Sequence, residues 1–167
     1  MSTFIFSQIL AGVTLVIGMA AFQFDKREYI LRAWSLAAIF AAIHFFLLGS
    51  IEACLLVSVT SLRMLISSFT TDSRVMWLFL GLAITGFTIT YENPVSLLGM
   101  AATICGTIGA FSGSEKSVRY SLLVTEILWA THNLIIWTPV GFMMEVLFFA
   151  SNIFGLMRRQ KAKASGF

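Results

Sequence analysis

The chain has 167 residues, of which 58% are hydrophobic and 11% charged, with a formal net charge of +3; its mean hydropathy is +0.90. Soluble domains average about 45–50% apolar and about 25% charged residues, so this is the composition of an integral membrane protein. No basic stretch interleaved with aromatics occurs in a polar segment, which leaves nucleic acid outside the expected partners.

A membrane-spanning helix needs about 20 mostly apolar residues. Seven segments qualify, near 4–24, 30–49, 51–69, 75–91, 95–112, 118–137 and 140–158. The expected fold class is therefore an all-α polytopic membrane protein with seven transmembrane helices. The N-terminal M-S-T-F-I-F-S-Q has no Lys or Arg before its apolar run. It lacks the positive region of a signal peptide, and the first span is expected to be retained.

The breaks between spans differ physically. Asp25-Lys26-Arg27-Glu28 is a charged turn, Gly49-Ser50 a tight one, and Thr70-Thr71-Asp72-Ser73-Arg74 a polar one. Glu92-Asn93-Pro94 joins a turn former to a residue that fixes φ. Ser112-Gly113-Ser114-Glu115-Lys116 is charged, and Thr138-Pro139 makes the last break. Cys54 and Cys105 fall inside spans and read as small packing residues.

The basic residues separate by side. Lys26, Arg27, Arg74, Lys116 and Arg119 lie in or beside the first, third and fifth connections, and Arg158, Arg159, Lys161 and Lys163 in the tail. Arg32 and Arg63 lie towards the same side, while the second, fourth and sixth connections carry only Glu52 and Glu92. Lys and Arg accumulate on the cytoplasmic face, so the N-terminus is expected outside and the C-terminus inside. The basic tail reads as a topology anchor that meets anionic lipid.

The first three and last three helices superpose with an offset of 88 positions. Gly18 then meets Gly106, Ile39 meets Ile127, Ala42 meets Ala130 and His44 meets His132. The turn at 25–28 meets the one at 113–116, and Gly49-Ser50 meets Trp137-Thr138. Each half has an odd number of spans, so one linking helix gives both the same orientation, a parallel repeat. The expected organisation is one membrane domain over 1–167: a triple-helix repeat over 4–69, a linker helix over 75–91, a second repeat over 95–158 and a basic tail over 159–167.

Polar side chains inside a span are costly and face a bundle interior, a cavity or a partner. His44 and His132 each lie about five residues, or roughly 7–9 Å, from the outer end of a helix, with Glu145 at a similar depth. A pair of His132 and Glu145 would be a structural hydrogen bond, a proton carrier or a ligand for a polar solute. Arg63 and Glu126 lie at comparable inner depth and form a candidate intramembrane ion pair; the alternative is that Arg63 snorkels to the headgroups. Thr60 and Asn152 are mid-span candidates for lining a cavity, although Thr60 can bond its own helix backbone. Trp129 either stacks on a solute or packs, and Trp137 reads as an interface anchor. Gly81, Gly86, Gly99, Gly106 and Gly109 are expected to permit close helix contacts. Nucleophile–base–acid sets, phosphate loops and metal-ligand spacings are absent from the sequence, so an enzyme, a metal site and a cofactor are not expected.

The stretches I-H-F-F-L-L-G (43–49), W-A-T-H-N-L (129–134), M-E (144–145) and N-I-F-G-L-M-R (152–158) resemble the YgjV-type family of bacterial inner-membrane proteins. The resemblance runs over nearly the whole chain. It implies a distant relation to the SWEET/PQ-loop transporters, with a 3+1+3 helix plan and solute held between two triple-helix bundles. By that likeness the solute-contacting positions would be His44 or Phe45, Thr60, His132 or Asn133, and Asn152. The chain departs from the SWEET pattern in having no Pro-Gln pair and no proline within a span. Those departures bear on the rocking mechanism and on sugar as substrate.

These readings give one leading expectation: transport of a small polar solute by alternating access, with proton coupling through His132 and Glu145. The alternative is a non-transporting membrane protein, a sensor or interaction partner, whose polar residues only fix packing. Expected partners are the lipid bilayer, the solute and a second copy of the chain.

Overall fold

The computed structural model describes residues 2–91 and 93–164. Glu92 of the expected fourth connection lies outside the described residues, as do 165–167 and the side chains of Glu52, Thr90, Lys163 and Ala164. Among the described residues the chain forms seven α-helices and no strand: α1 (Thr3–Ala21), α2 (Arg27–Leu47), α3 (Ile51–Phe69), α4 (Ser73–Thr90), α5 (Ser96–Ala110), α6 (Glu115–Ile135) and α7 (Pro139–Ala164).

Helices α4 and α6 begin two or three residues earlier than hydropathy alone predicts because polar residues cap them. Asp72 accepts a hydrogen bond from the Arg74 amide at 2.8 Å, and Ser114 accepts one from the Ser117 amide at 3.0 Å. Each satisfies a donor that the first helical turn leaves unpaired. Pro139 opens α7, where its missing N–H costs nothing. At the other end α7 continues to Ala164, so the first residues of the basic tail extend this helix instead of leaving it at 158.

Three helices are long and apolar enough to cross a membrane by length and composition: Thr3–Ala21, Arg27–Leu47 and Pro139–Ala162. Ala53–Phe69, Ser73–Ile89 and Ser96–Ala110 are apolar but shorter. The remaining helix, α6, carries Glu115, Lys116, Arg119 and Glu126.

The chain divides into two compact units, residues 1–69 and 70–167. In the first, α2 packs on both α1 and α3. Its contacts use small and hydroxylic residues, which let helix backbones approach. Thr14 of α1 donates to the Ala37 carbonyl of α2 at 3.2 Å. Ser35 of α2 and Ser61 of α3 each donate to the other's carbonyl, at 3.0 and 2.9 Å. At the basic end of this unit, Arg27 donates to the Ser67 carbonyl, and Arg32 reaches the Ser68 hydroxyl at 3.3 Å.

In the second unit, α6 packs on both α5 and α7, and α4 on α5. Thr125 of α6 donates to the Ala102 carbonyl of α5 at 3.3 Å. A Cβ on Gly109 would fall 1.5 Å from the Ser121 hydroxyl, so α5 and α6 meet where only glycine fits. Glu115 at the start of α6 bonds Arg119 one turn on and Arg159 of α7. Arg119, at 0% exposure, is the largest fully buried side chain described. The sequence reading placed it at a helix edge; its i, i+4 spacing from Glu115 lets it fold inward with its charge met.

Candidate functional site

The helical hairpin α6–α7 carries most of the polar residues singled out from the sequence. Counted from the turn at Trp137, Glu126 lies eleven positions before and Glu145 eight after. At 1.5 Å per residue their depths differ by about 4.5 Å, within the span of two glutamate side chains. Both line one pocket of about 230 Å³, with Ile127, Ala130 and Thr131 from α6 and Val146 and Phe149 from α7. Residues 126, 127, 130 and 131 share one face of α6 by their three- and four-residue spacing, as 145, 146 and 149 do on α7.

Glu126 is 3% exposed, and neither carboxyl oxygen has a hydrogen-bond partner among the described residues. Glu145 is near enough for like-charge interaction with it, and the Asn152 side chain lies beside it without hydrogen-bond geometry. Asn152 is itself 0% exposed. Its amide donates to the Arg119 carbonyl at 3.0 Å, while its Oδ1 has no partner among the described residues. The pocket lining contains no basic side chain. Arg63, read from the sequence as the partner of Glu126, belongs to the first unit and is buried on α3.

The other candidate residues are engaged locally. His44 Nδ1 bonds the Ser7 carbonyl at 2.8 Å and so ties α2 to α1. Thr60 donates to the Leu56 carbonyl of its own helix at 3.1 Å. Trp129 lies against Gly99, where a Cβ would come within 2.9 Å of the indole. It also meets the His132 ring edge-on at 5.2 Å. His132 is outside the pocket lining; its Nδ1 is buried without a hydrogen-bond partner among the described residues. Asn133 accepts from the Thr138 hydroxyl at 3.1 Å and covers Gly141, so it holds the α6–α7 turn.

The structure therefore brings Glu126, Glu145 and Asn152 together and leaves His132 and Asn133 nearer the turn. Sequence reasoning missed the Glu115–Arg119–Arg159 network and the apolar walls of the pocket. The i, i+4 pair was visible as a signal; the wall residues carry none, being ordinary span residues.

A family model described as a bacterial inner membrane protein, Imp-YgjV, matches residues 5–163. The chain belongs to that family. It is 25% identical over 167 residues to the inner membrane protein YgjV of Escherichia coli strain K12, covering 99% of this chain and 91% of the relative. No solved structure matches it. Membership and the apolar helices make this a multi-pass protein of the bacterial inner membrane. In that setting the α6–α7 carboxyls are chemically distinctive. Ionised side chains in a span are costly unless paired or facing water, and these two face a shared cavity.

Among the described residues no group of three or more His, Cys, Asp or Glu is arranged to hold a metal ion. The first unit has a larger pocket, about 390 Å³, lined by Ile39, Ala42, Phe46, Cys54, Ser58 and their neighbours. It presents no charged side chain and none of the candidate residues.

Proposed function

We propose that this protein moves a small polar solute across the bacterial inner membrane by alternating access between two three-helix bundles. The observation that carries the reading is Glu126: a buried carboxyl without a hydrogen-bond partner among the described residues, at a pocket it shares with Glu145. A charged group near the centre of a span costs about 2.5–3.5 kcal/mol on insertion scales. Helix packing alone gives no reason to set two acids against one another there. The proton coupling expected from His132 and Glu145 is better carried by Glu145 with Glu126, since both reach the pocket and His132 packs on Trp129.

The proposed architecture is a 3+1+3 parallel repeat spanning the membrane seven times, N-terminus outside and C-terminus inside. Helix boundaries support it: α2 and α6 begin and end 88 positions apart, and α3 and α7 begin 88 apart. The interhelical hydroxyl bonds support it too. Thr14 and Ala37 correspond to Ala102 and Thr125, so the same two positions bond in each half with donor and acceptor exchanged. The distribution of Lys and Arg supports the orientation.

A second reading has its own support. His44, Thr60, Trp129 and Asn133 are taken up by local contacts, as expected of a non-transporting protein that uses polar groups to fix its packing. Uptake by proteoliposomes separates the two. Sugars, amino acids, amines and small acids are screened at two pH values, with Glu126→Gln as control. Transport predicts uptake of at least one class, with Glu126→Gln reporting whether the buried carboxyl takes part; absence of uptake for every class at both pH values favours the packing role.

A further inference from the structure

The geometry points to the α6–α7 pocket as a binding site for a small organic ammonium ion, with Glu126 and Glu145 as its counter-charges and Phe149 as part of its apolar wall. This deepens the transport reading by naming a substrate class. It rests on three properties of the pocket.

The first is charge. Two carboxyls face one space, and among the described residues its lining offers no cation to meet them. Glu126 has no hydrogen-bond partner among the described residues, and the fully buried Oδ1 of neighbouring Asn152 has none either. Asn152 packs beside Glu126 behind the pocket lining, so the acceptors that face the space are the carboxyl oxygens of Glu145 and of the 3%-exposed Glu126. An ammonium group supplies up to three N–H donors to such a set of acceptors.

The second is the wall. Ile127, Ala130, Val146 and Phe149 make up most of the lining. A calcium ion takes about six to eight oxygen ligands, whereas most of this lining is hydrocarbon. An alkyl or aryl body suits those surfaces, and Phe149 adds an aromatic side chain able to attract a cation.

The third is size. About 230 Å³ is several times the roughly 30 Å³ that one water occupies in the liquid. That leaves room for the carbon body of a small amine beside its ammonium group.

The test uses the full-length protein in detergent or nanodiscs and four probes: n-butylammonium, the neutral isostere n-butanol, the anion butyrate, and sodium ion. Binding is read by calorimetry and by the shift of the melting temperature. Saturable binding of n-butylammonium is expected, weakened at least tenfold by Glu126→Gln and by Glu145→Gln, with no saturable binding of the other three probes. Glu145→Asp, which keeps the charge, is expected to retain part of the affinity, and Asp25→Asn, outside the pocket, all of it. If a Gln variant fails to fold, Ala130→Phe, which fills the pocket from its wall, serves instead and is expected to block binding. Absence of ammonium binding to the folded wild-type protein overturns the assignment. So does ammonium affinity unchanged in Glu126→Gln and Glu145→Gln, or sodium binding of equal strength. Ammonium binding without uptake in proteoliposomes upholds the site and defeats transport. Uptake of a neutral solute that survives both Gln substitutions upholds transport and defeats the site.

Discussion

Gly49 and Trp137 stand 88 positions apart and are the two residues with positive φ among those described, at 77° and 58°. Each follows the end of a long helix and closes the same hydrogen-bond pattern. The Ser50 amide bonds the Phe45 carbonyl at 3.0 Å and the Gly49 amide that of Phe46 at 3.0 Å; the Thr138 amide bonds the Asn133 carbonyl at 2.8 Å and the Trp137 amide that of Leu134 at 3.3 Å. This is the Schellman arrangement, in which a left-handed residue ends the helix and satisfies its last carbonyls.

The two positions make opposite predictions. A Cβ at Gly49 would touch nothing, so Gly49→Ala adds only the left-handed conformational cost, about 1–2 kcal/mol. Trp137 already bears that cost with an indole that is 78% exposed. Trp137→Gly is therefore expected to stabilise the α6–α7 turn by up to about 1 kcal/mol in detergent, where no interface holds the indole. In a bilayer, loss of an interfacial anchor should reduce that gain. Equilibrium unfolding of both variants in micelles checks the signs; a Trp137→Gly protein that unfolds more easily than Gly49→Ala would contradict the account.

Thr14 and Thr125 each cross to a neighbouring helix within their own unit. Interhelical hydrogen bonds in membranes average about 0.6 kcal/mol. Thr14→Val and Thr125→Val should each cost roughly that much. The Thr14–Ala37 and Thr125–Ala102 pairs share no partner, so the double variant should be additive within about 0.5 kcal/mol. Coupling larger than this in a double-mutant cycle would show that the two bonds are not independent.

These pairs also show what the sequence contained. The offset that aligned His44 with His132 aligns the helix ends and the two turn residues, because span lengths and breakers were written directly in the hydropathy pattern. Helix starts were read two or three residues late at α2, α4 and α6, since polar residues there belong to the first helical turn. The site was harder. Glu126 and Glu145 were both visible as costly residues, but nothing in the sequence marked them as lining one pocket. Sequence position fixes depth along a helix to within a few ångströms, whereas the face that meets a neighbour depends on how each helix is rotated in its packing. Glu126 with Ala130, and Glu145 with Phe149, face one pocket because α6 and α7 turn those sides together.

Glu115 bonds both Arg119, which is wholly buried, and Arg159, whose side chain is 24% exposed. Removing Glu115 takes a carboxylate away from the buried Arg119 charge. Breaking a buried pair from one side costs about 3–5 kcal/mol, and Glu115→Ala is expected near the lower end because the network lies at a helix terminus. Arg159→Ala should cost under 1 kcal/mol, in the range of exposed pairs. Glu115→Met combined with Arg119→Met should recover most of the loss, since an apolar pair of similar volume carries no desolvation cost. Unfolding free energies in detergent decide the matter: a double variant no more stable than Glu115→Ala would mean that Arg119 contributes through other contacts.

Gly109 gives the sharpest steric prediction. Its missing Cβ position lies 1.5 Å from the Ser121 hydroxyl and 2.3 Å from Ser121 Cβ. The nearer atom belongs to a short side chain that donates to the Val118 carbonyl at 2.9 Å, so it has little freedom to move. Gly109→Ala must therefore separate α5 from α6, at a cost in the range of about 1–3 kcal/mol for overpacking. Ser121→Gly removes both clashing atoms and is expected to restore part of the loss when combined with Gly109→Ala, despite the helix-propensity cost of a new glycine. Gly81 of α4 has nothing within 4 Å of its missing Cβ, so Gly81→Ala should be neutral or stabilising by up to about 1 kcal/mol. The comparison separates close helix approach from the general behaviour of glycine in a span. If Gly109→Ala and Gly81→Ala shift the unfolding midpoint equally, α5 and α6 do not depend on contact at Gly109.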